Sequence, residues 1–524
     1  MDIVGDKNLR DLLNEKVAAH RDKTFLIFED KEERKYGFTY GEFAERVNRL
    51  SQVFNDFGVE KGNHVALHLP NSLDFMTSWF ALASIGAIMV PTNPLSTSNE
   101  MEYILEHSES VLIITEKEHL DKINCIRKNL PKLKEILLAR YEGEDFEGQN
   151  LNRLIENAKP NYKTVKIDSE DPAAMLYTSG TTSKPKGVQV THANYIFTGE
   201  MMSKSIRLSP NDRQFIVLPL FHGNAQYYST MSALVVGASI AITERFSASG
   251  YFKQARRLNV TVGSLFAAPI RMILAQNYDP NDINHSLRII WFAQMVSEEQ
   301  LKKFEEKYKV PLLQMYGMTE TVGVPLMNPI DGIRKNMSMG KPTIGYEVKV
   351  VDDDGNDVHI KETGQIIVKG ISGRTLMKGY FKNPEATAET LRDGWLYTGD
   401  NARVEEDGYF YFVDRKKDMI KRAGENVAAN EVESILAEHQ SVYEAAVIGI
   451  PDDIRDEAIK AYVILKENYA GSEQELLSYC RERLAKFKVP DSIEFIEEFP
   501  RTAVGKVQKH ILRQRHKESG KAHL

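Results

Sequence analysis

Residues 177 to 187 read Tyr-Thr-Ser-Gly-Thr-Thr-Ser-Lys-Pro-Lys-Gly, a run that packs the hydroxyls of Thr178, Ser179, Thr181 and Thr182, the glycines Gly180 and Gly187, and two lysines into one turn. Backbone N–H groups at such a turn form an anion-binding concavity, hydroxyls add hydrogen bonds, and Lys184 and Lys186 supply charge. This is phosphate-handling chemistry. The order G-x-x-x-x-G-K-[ST] is missing, because Gly180 leads to Lys-Pro-Lys-Gly, so a triphosphatase that couples hydrolysis to motion is disfavoured. In isolation such a turn is more often an ordinary surface loop. Two other groups invite metal readings and do not sustain them. Asp352-Asp353-Asp354-Gly355 lacks the further spaced ligands of a calcium loop and reads as a hairpin turn. His64 and His68 fall in strand-like sequence as core or surface histidines.

The elements that must position this chemistry alternate. The segments 64–69, 111–115, 215–219 and 238–242 read as buried strands, with helical patterns over 39–58 and 98–108 between them, as in an α/β protein with mostly parallel sheets. The apolar stretch 76–90 is too short for a bilayer span of about 20 residues and reads as a buried helix running into a strand. From about Val348 short strands with Asp354-Gly355 and Asp407-Gly408 turns suggest a small β subdomain. The tail carries its own helices (430–439, 472–485) and strands (445–450, 461–465), which sets the expected division at residues 1–414 and 415–524, a large layered α/β part and a small mobile α+β part. The 524 residues exceed one core, and a net charge of −7 without a basic block excludes a partner bound through nucleic-acid phosphates. Two cysteines and an acidic start without an apolar core suit a cytoplasmic protein.

The turn resembles the phosphate signature of the acyl-adenylating enzymes, the superfamily of acyl-CoA synthetases, peptide-synthetase adenylation domains and luciferases. Further motifs in the family's order support this: Tyr316-Gly317-Met-Thr319-Glu320, Tyr397-Thr-Gly-Asp400, Asp414-Arg415, and Arg501-Thr-Ala-Val-Gly-Lys506. The resemblance implies that Thr178, Ser179, Gly180, Thr181, Thr182 and Lys186 cradle the ATP phosphates. It places Tyr316 and Gly317 at adenine, Thr319 at the α-phosphate, Glu320 on Mg²⁺, and Asp400 with Arg415 at the ribose. Lys506 would bridge the attacking carboxylate and the α-phosphate, which makes it the residue expected to matter most for adenylation.

In the family the small domain turns about a hinge, here Lys417, so that an active site between the domains presents Lys506 in one step and the loop Lys421-Arg-Ala-Gly424 in the next, with Gly424 against the pantetheine arm of CoA. His222 matches an aromatic position that gates the acyl and thiol routes. The implied cofactors and partners are ATP, Mg²⁺, CoA and a small carboxylic acid, and the resemblance allows a homodimer. Met1 to Gly5, 65–69, 86–91, 419–427 and 454–460 are similar to crotonobetaine/carnitine–CoA ligases and their short- to medium-chain relatives. Trp291-Phe292-Ala293-Gln294 replaces the family's Gly-Gly-Ala-type turn, which points to a narrow pocket beside Ala293. Tyr227, Tyr228, Trp291 and Phe292 are candidates for a cage around a quaternary ammonium. A fatty acid–CoA ligase, an enzyme loading a carrier protein, and a luciferase-like oxidase stay open as alternatives.

Overall fold

The computed structural model describes residues 3–141, 149–178, 184–415, 418–422, 425–452, 456–467, 469, 471–501 and 507–521. The chain forms two compact units. The first takes the residues through Thr178, Lys184–Val348 and Val368–Leu396, and the second takes Lys349–Ile367 and Tyr397–Leu524.

Two large sheets build the first unit. One has eight strands in the order Gly379–Tyr380, Lys186–Thr191, Pro172–Thr178, Ile88–Pro91, His64–His68, Leu112–Thr115, Glu135–Leu138 and Gln149–Asn150. The other has nine, in the order Lys341–Pro342, Leu326–Met327, Leu312–Tyr316, Ile289–Ala293, Val262–Phe266, Arg213–Ile216, Ser239–Thr243, Thr24–Glu29 and Lys35–Thr39. Their central strands are parallel and buried on both faces, as the near-continuous apolar runs require.

Local chemistry sets the helices around them. Thr39 accepts the N–H of Glu42 while the Glu42 carboxylate accepts the Thr39 N–H, a reciprocal cap that starts the helix Tyr40–Asp56. Phe43, Val47, Leu50 and Phe54 then line its buried face at helical spacing. The helix Leu73–Ile85 is buried all round and stops at Gly86, whose φ of +72° is the left-handed conformation glycine adopts freely. It leads into the strand Ile88–Pro91, as the stretch 76–90 predicted. His68 is fully buried, its Nδ1 2.8 Å from the Thr92 hydroxyl, which makes it a core histidine.

One expected strand ends early. The strand Arg213–Ile216 stops before Pro219 because the buried side chain of Asn71 takes over the backbone that follows. Its amide donates to the carbonyls of Leu218 (3.0 Å) and Thr243 (3.1 Å), and its oxygen accepts the N–H of Leu220 (2.7 Å).

In the second unit the strands Glu425–Ala428, Met419–Arg422, Asp456–Leu465 and Val442–Asp452 form a sheet, with Ser492–Phe495 beside Asp456–Leu465. The helices Ala429–Ala437 and Glu473–Arg483 supply Val432, Leu436, Leu476 and Cys480 to its core. Asp352 closes the predicted hairpin turn: its carboxylate accepts the N–H groups of Asp354 and Asn356, and Gly355 turns at φ +87°. Among the described residues no helix is long and apolar enough to cross a membrane.

Candidate active site

The strand Leu312–Tyr316 ends at the adenine-side candidate Tyr316, and Gly317 follows because nothing larger fits. A Cβ at Gly317 would stand 2.8 Å from the Tyr228 hydroxyl and 2.9 Å from the carbonyl oxygen of Gly323. The chain then folds tightly. The Met318 N–H donates to the Thr321 hydroxyl at 3.0 Å, and the Val322 N–H donates to the Thr319 carbonyl at 3.2 Å. Val322 takes a φ of +62°, a costly conformation for a β-branched residue, and this bend carries Thr319 and Glu320 at the carboxyl end of the sheet.

Glu320 is buried and far in sequence from the groups that meet it. Its Oε1 accepts from the Tyr380 hydroxyl at 3.0 Å and stands 3.4 Å from the Thr178 hydroxyl. Thr178 closes the strand that enters the hydroxyl-rich turn, and Lys186 opens the strand that leaves it, so the turn's two ends are registered as a cross-strand pair. The Lys186 ammonium lies 4.8 Å from the centroid of the Tyr380 ring. Burial pushes the Glu320 carboxyl above its usual range, against the hydrogen bond from Tyr380 and the charge of Lys186, which hold it down. A buried carboxylate that pays for its charge in this way fits a hard divalent cation with oxygen ligands, as Mg²⁺ is.

The approach to the turn is braced from below. Tyr103 donates to the carbonyl of Pro185 at 2.9 Å, its ring lies 4.9 Å from the Lys184 ammonium, and His107 Nδ1 stands 2.7 Å from the Tyr177 hydroxyl. Ser179, Gly180, Thr181 and Thr182 lie outside the described residues, as do Lys417, Gly424 and Lys506.

Of the residues expected beside the acyl group, His222 sits in the loop held by Asn71, its N–H donating to the Pro219 carbonyl at 3.1 Å and its ring 4.5 Å from that of Phe221. Ala293 ends its strand opposite Phe266, and Gln294 turns away at φ +77°. The four-ring cage does not form as a set. Neighbouring residues of a strand point to opposite faces, and Phe292 packs with Phe215, Leu265, Ile290 and Leu312 in an apolar cluster while Trp291 faces the other way. Tyr227 and Tyr228 are both buried, and the Tyr228 hydroxyl is 3.3 Å from the Gly323 carbonyl.

In the second unit, Asp400 and Arg415 face each other in register on the strands Trp395–Val404 and Phe410–Arg415. Lys421 is exposed on the strand Met419–Arg422, its N–H donating to the Glu457 carboxylate at 2.8 Å. A partly buried charge cluster escaped the sequence reading. Lys509 lies 2.7 Å from Glu433 and Arg513 2.9 Å from Asp418, while Asp414 accepts the Asn430 N–H at 3.1 Å. Tyr380 and Asn71 were missed as well. The only local signals were the Gly379-Tyr380 pair and an Asn-Ser step before a helix.

The sequence profile of AMP-binding enzymes matches residues 13–381, and that of the AMP-binding enzyme C-terminal domain matches residues 431–506. The chain belongs to the AMP-binding enzyme family. A crotonobetaine/carnitine–CoA ligase of Salmonella agona (strain SL483) is 39% identical over 518 residues, covering 98% of this chain and all of that relative. The enzyme of the same description from Salmonella paratyphi A (strain ATCC 9150 / SARB42) is 40% identical over 519 residues, with the same coverage. Among solved structures, the anthranilate CoA ligase AuaEII in complex with anthranoyl-AMP superimposes with a TM-score of 0.89 at 30% identity over 98% of both chains. ATP-bound MatB from Rhodopseudomonas palustris gives 0.88 at 26% identity over 98% of this chain and 99% of that one. Family membership makes the chain an AMP-forming acyl-CoA synthetase, a kind of enzyme that uses ATP, Mg²⁺ and CoA.

Proposed function

We propose that this family member activates a short- to medium-chain or betaine-type acid such as crotonobetaine or carnitine, releasing pyrophosphate, and then passes the acyl group to CoA. The adenylating half is supported above all by Glu320, which meets Thr178 before the hydroxyl-rich turn and lies beside the Tyr380 ring that Lys186 covers after it. The acid is supported by the shared description of full-length relatives at 39% and 40% identity.

In the first step an oxygen of the substrate carboxylate attacks the α-phosphorus while the bond to the β-phosphate oxygen breaks. Two anions must approach, so charge screening and alignment dominate the barrier. The hydroxyls of residues 178–182 and Lys186 hold the β- and γ-phosphates and then the departing pyrophosphate, and Thr319 holds the α-phosphate. Mg²⁺ at Glu320 supplies positive charge that offsets the phosphates as their charge shifts. Tyr316 and Gly317 take the adenine, Asp400 with Arg415 takes the ribose hydroxyls, and Lys506 spans the carboxylate and the α-phosphate. In the second step the CoA sulfur attacks the acyl carbon and AMP leaves, with Lys421 and Gly424 serving this step and His222 and Ala293 bordering the acyl group. The residues from 415 onward move about Lys417 between the steps. A cytoplasmic setting and a homodimer complete the proposal.

The test is pyrophosphate release with a panel of acids in the presence of ATP and CoA. Crotonobetaine, carnitine or γ-butyrobetaine should give the highest kcat/KM, and a preference for long fatty acids would overturn the betaine reading. Lys506→Ala should lower adenylation by about 10²-fold and spare thioester formation from preformed adenylate. Gly424→Leu should do the reverse. Equal loss of both steps in either variant refutes the division of labour.

A further inference from the structure

We infer that Tyr380 is a positioning residue for the Mg²⁺ carboxylate, tying Glu320 to the strand that leaves the phosphate turn. The inference rests on the reading of Glu320 as the metal ligand.

The short strand that carries Tyr380 grips Glu320 at two points. The Met377 N–H donates to the Glu320 carbonyl at 3.0 Å, and the Tyr380 hydroxyl donates to Oε1 at 3.0 Å. The same strand is zipped to the exit of the turn. Gly379 pairs with Gln189 and Tyr380 with Val188, the Lys378 N–H donates to Gln189 at 3.0 Å, and the Phe381 N–H donates to Gly187 at 2.8 Å. Tyr380 is itself fixed, because its N–H donates to the Thr387 hydroxyl at 2.9 Å and its buried ring carries the Lys186 ammonium. Main-chain pairing thus sets the distance between the phosphate lysine and the metal carboxylate, and one phenol transmits it to the carboxylate. Both hydroxyl contacts, from Tyr380 and Thr178, fall on Oε1. That fixes the rotation of the carboxylate, and Oε2, which takes neither hydroxyl, would be the oxygen offered to a bound cation. Groups that orient a metal ligand in this way are worth about 10- to 100-fold in metal affinity.

The experiment is calorimetric titration of the full chain with ATP, without acid or CoA, once in Mg²⁺ and once in EDTA. The ratio of the two dissociation constants isolates the contribution of the ion and needs no turnover. Tyr380→Phe keeps the ring, its packing and the Lys186 contact, and removes only the hydroxyl. The Mg²⁺-dependent gain should fall by about 10-fold while ATP affinity in EDTA and the unfolding midpoint stay at the unsubstituted values. Glu320→Gln should lose the gain almost entirely. An undiminished gain in Tyr380→Phe beside a lost gain in Glu320→Gln overturns the inference alone. A fall in EDTA equal to that in Mg²⁺ also overturns it, since a general distortion then explains the loss. An undiminished gain in Glu320→Gln removes Glu320 as the ligand, and the role of Tyr380 with it.

Discussion

Asp400 and Arg415 are a registered cross-strand pair whose charged groups stand 3.6 Å apart. That separation keeps electrostatic attraction but exceeds a hydrogen bond. The adjoining hydroxyl of Thr398 receives the Asp400 N–H at 3.1 Å and donates to the Ile366 carbonyl at 2.8 Å, which fixes the backbone behind the carboxylate. The pair suits a ligand with two adjacent hydroxyls.

Asp400→Asn keeps the shape and removes the charge. Hydrogen bonds to a charged acceptor are roughly twice as strong as neutral ones, so AMP affinity should fall by about 10-fold at an unchanged unfolding midpoint. Calorimetric binding of AMP and of 2′-deoxy-AMP checks this. If Asp400 reads the ribose, the difference between the two ligands shrinks in the variant.

Gly317→Ala places a methyl against the Tyr228 hydroxyl and the Gly323 carbonyl, at 2.8 and 2.9 Å. The hydroxyl can swing aside and the carbonyl cannot, so the bend carrying Thr319 and Glu320 must shift. Overpacking of this kind costs about 1–3 kcal/mol. Denaturation should show that loss, and adenylation should fall with it. Tyr228→Phe added to Gly317→Ala should recover only part.

Lys509 is half-buried, 2.7 Å from the half-buried Glu433 and near the buried carboxylates of Asp414 and Asp418. Burial alone would depress its pKa, but Glu433, Asp414 and Asp418 raise it, while burial raises the Glu433 and Asp414 carboxyls. Lys509→Met therefore strands two carboxylates without their cation. Breaking a buried pair by removing one partner costs about 3–5 kcal/mol. Urea unfolding followed by a probe in the second unit should register it, and Glu433→Gln added to Lys509→Met should restore part of the loss.

His192 is fully buried and its Nδ1 accepts the Leu9 N–H at 3.2 Å, so the folded protein holds it neutral. Burial lowers its pKa from 6.5 to about 3. Between those values the unfolded chain binds a proton that the folded one does not, so stability falls as pH drops through this window and is intact above it. By about pH 5 this single group should remove roughly 2 kcal/mol. His192→Gln retains an acceptor for Leu9 and should flatten the acid limb of a stability-against-pH curve by that amount.

The sequence made local features legible and left long-range ones dark, for physical reasons. The helix Tyr40–Asp56 announced itself through its helical run of apolar residues, and the strand His64–His68 through β-type composition. The hydroxyl-rich turn and Glu320 stood out because their chemistry needs a particular order. Tyr380 did not, because it reaches Glu320 from 60 positions away through a two-residue strand with no periodicity. Asn71 shortened a strand nearly 150 positions downstream, a tertiary effect that no window of sequence contains. Alternation along a strand already says that, of the four aromatic candidates, Trp291 and Phe292 cannot both line one cage.

Asn71 belongs to the loop after His64–His68 in one sheet, yet it grips Leu218 and Leu220, which follow a strand of the other, and Thr243, which ends one. The segment leading to His222 thereby inherits the protection of the interior. Its Leu220 amide should exchange with deuterium only when both sheets open together, at the slow rate of the most guarded strands. On the proposed function, an acid entering beside His222 would meet a wall that stands ready beforehand, and discrimination among acids there would come from shape already in place.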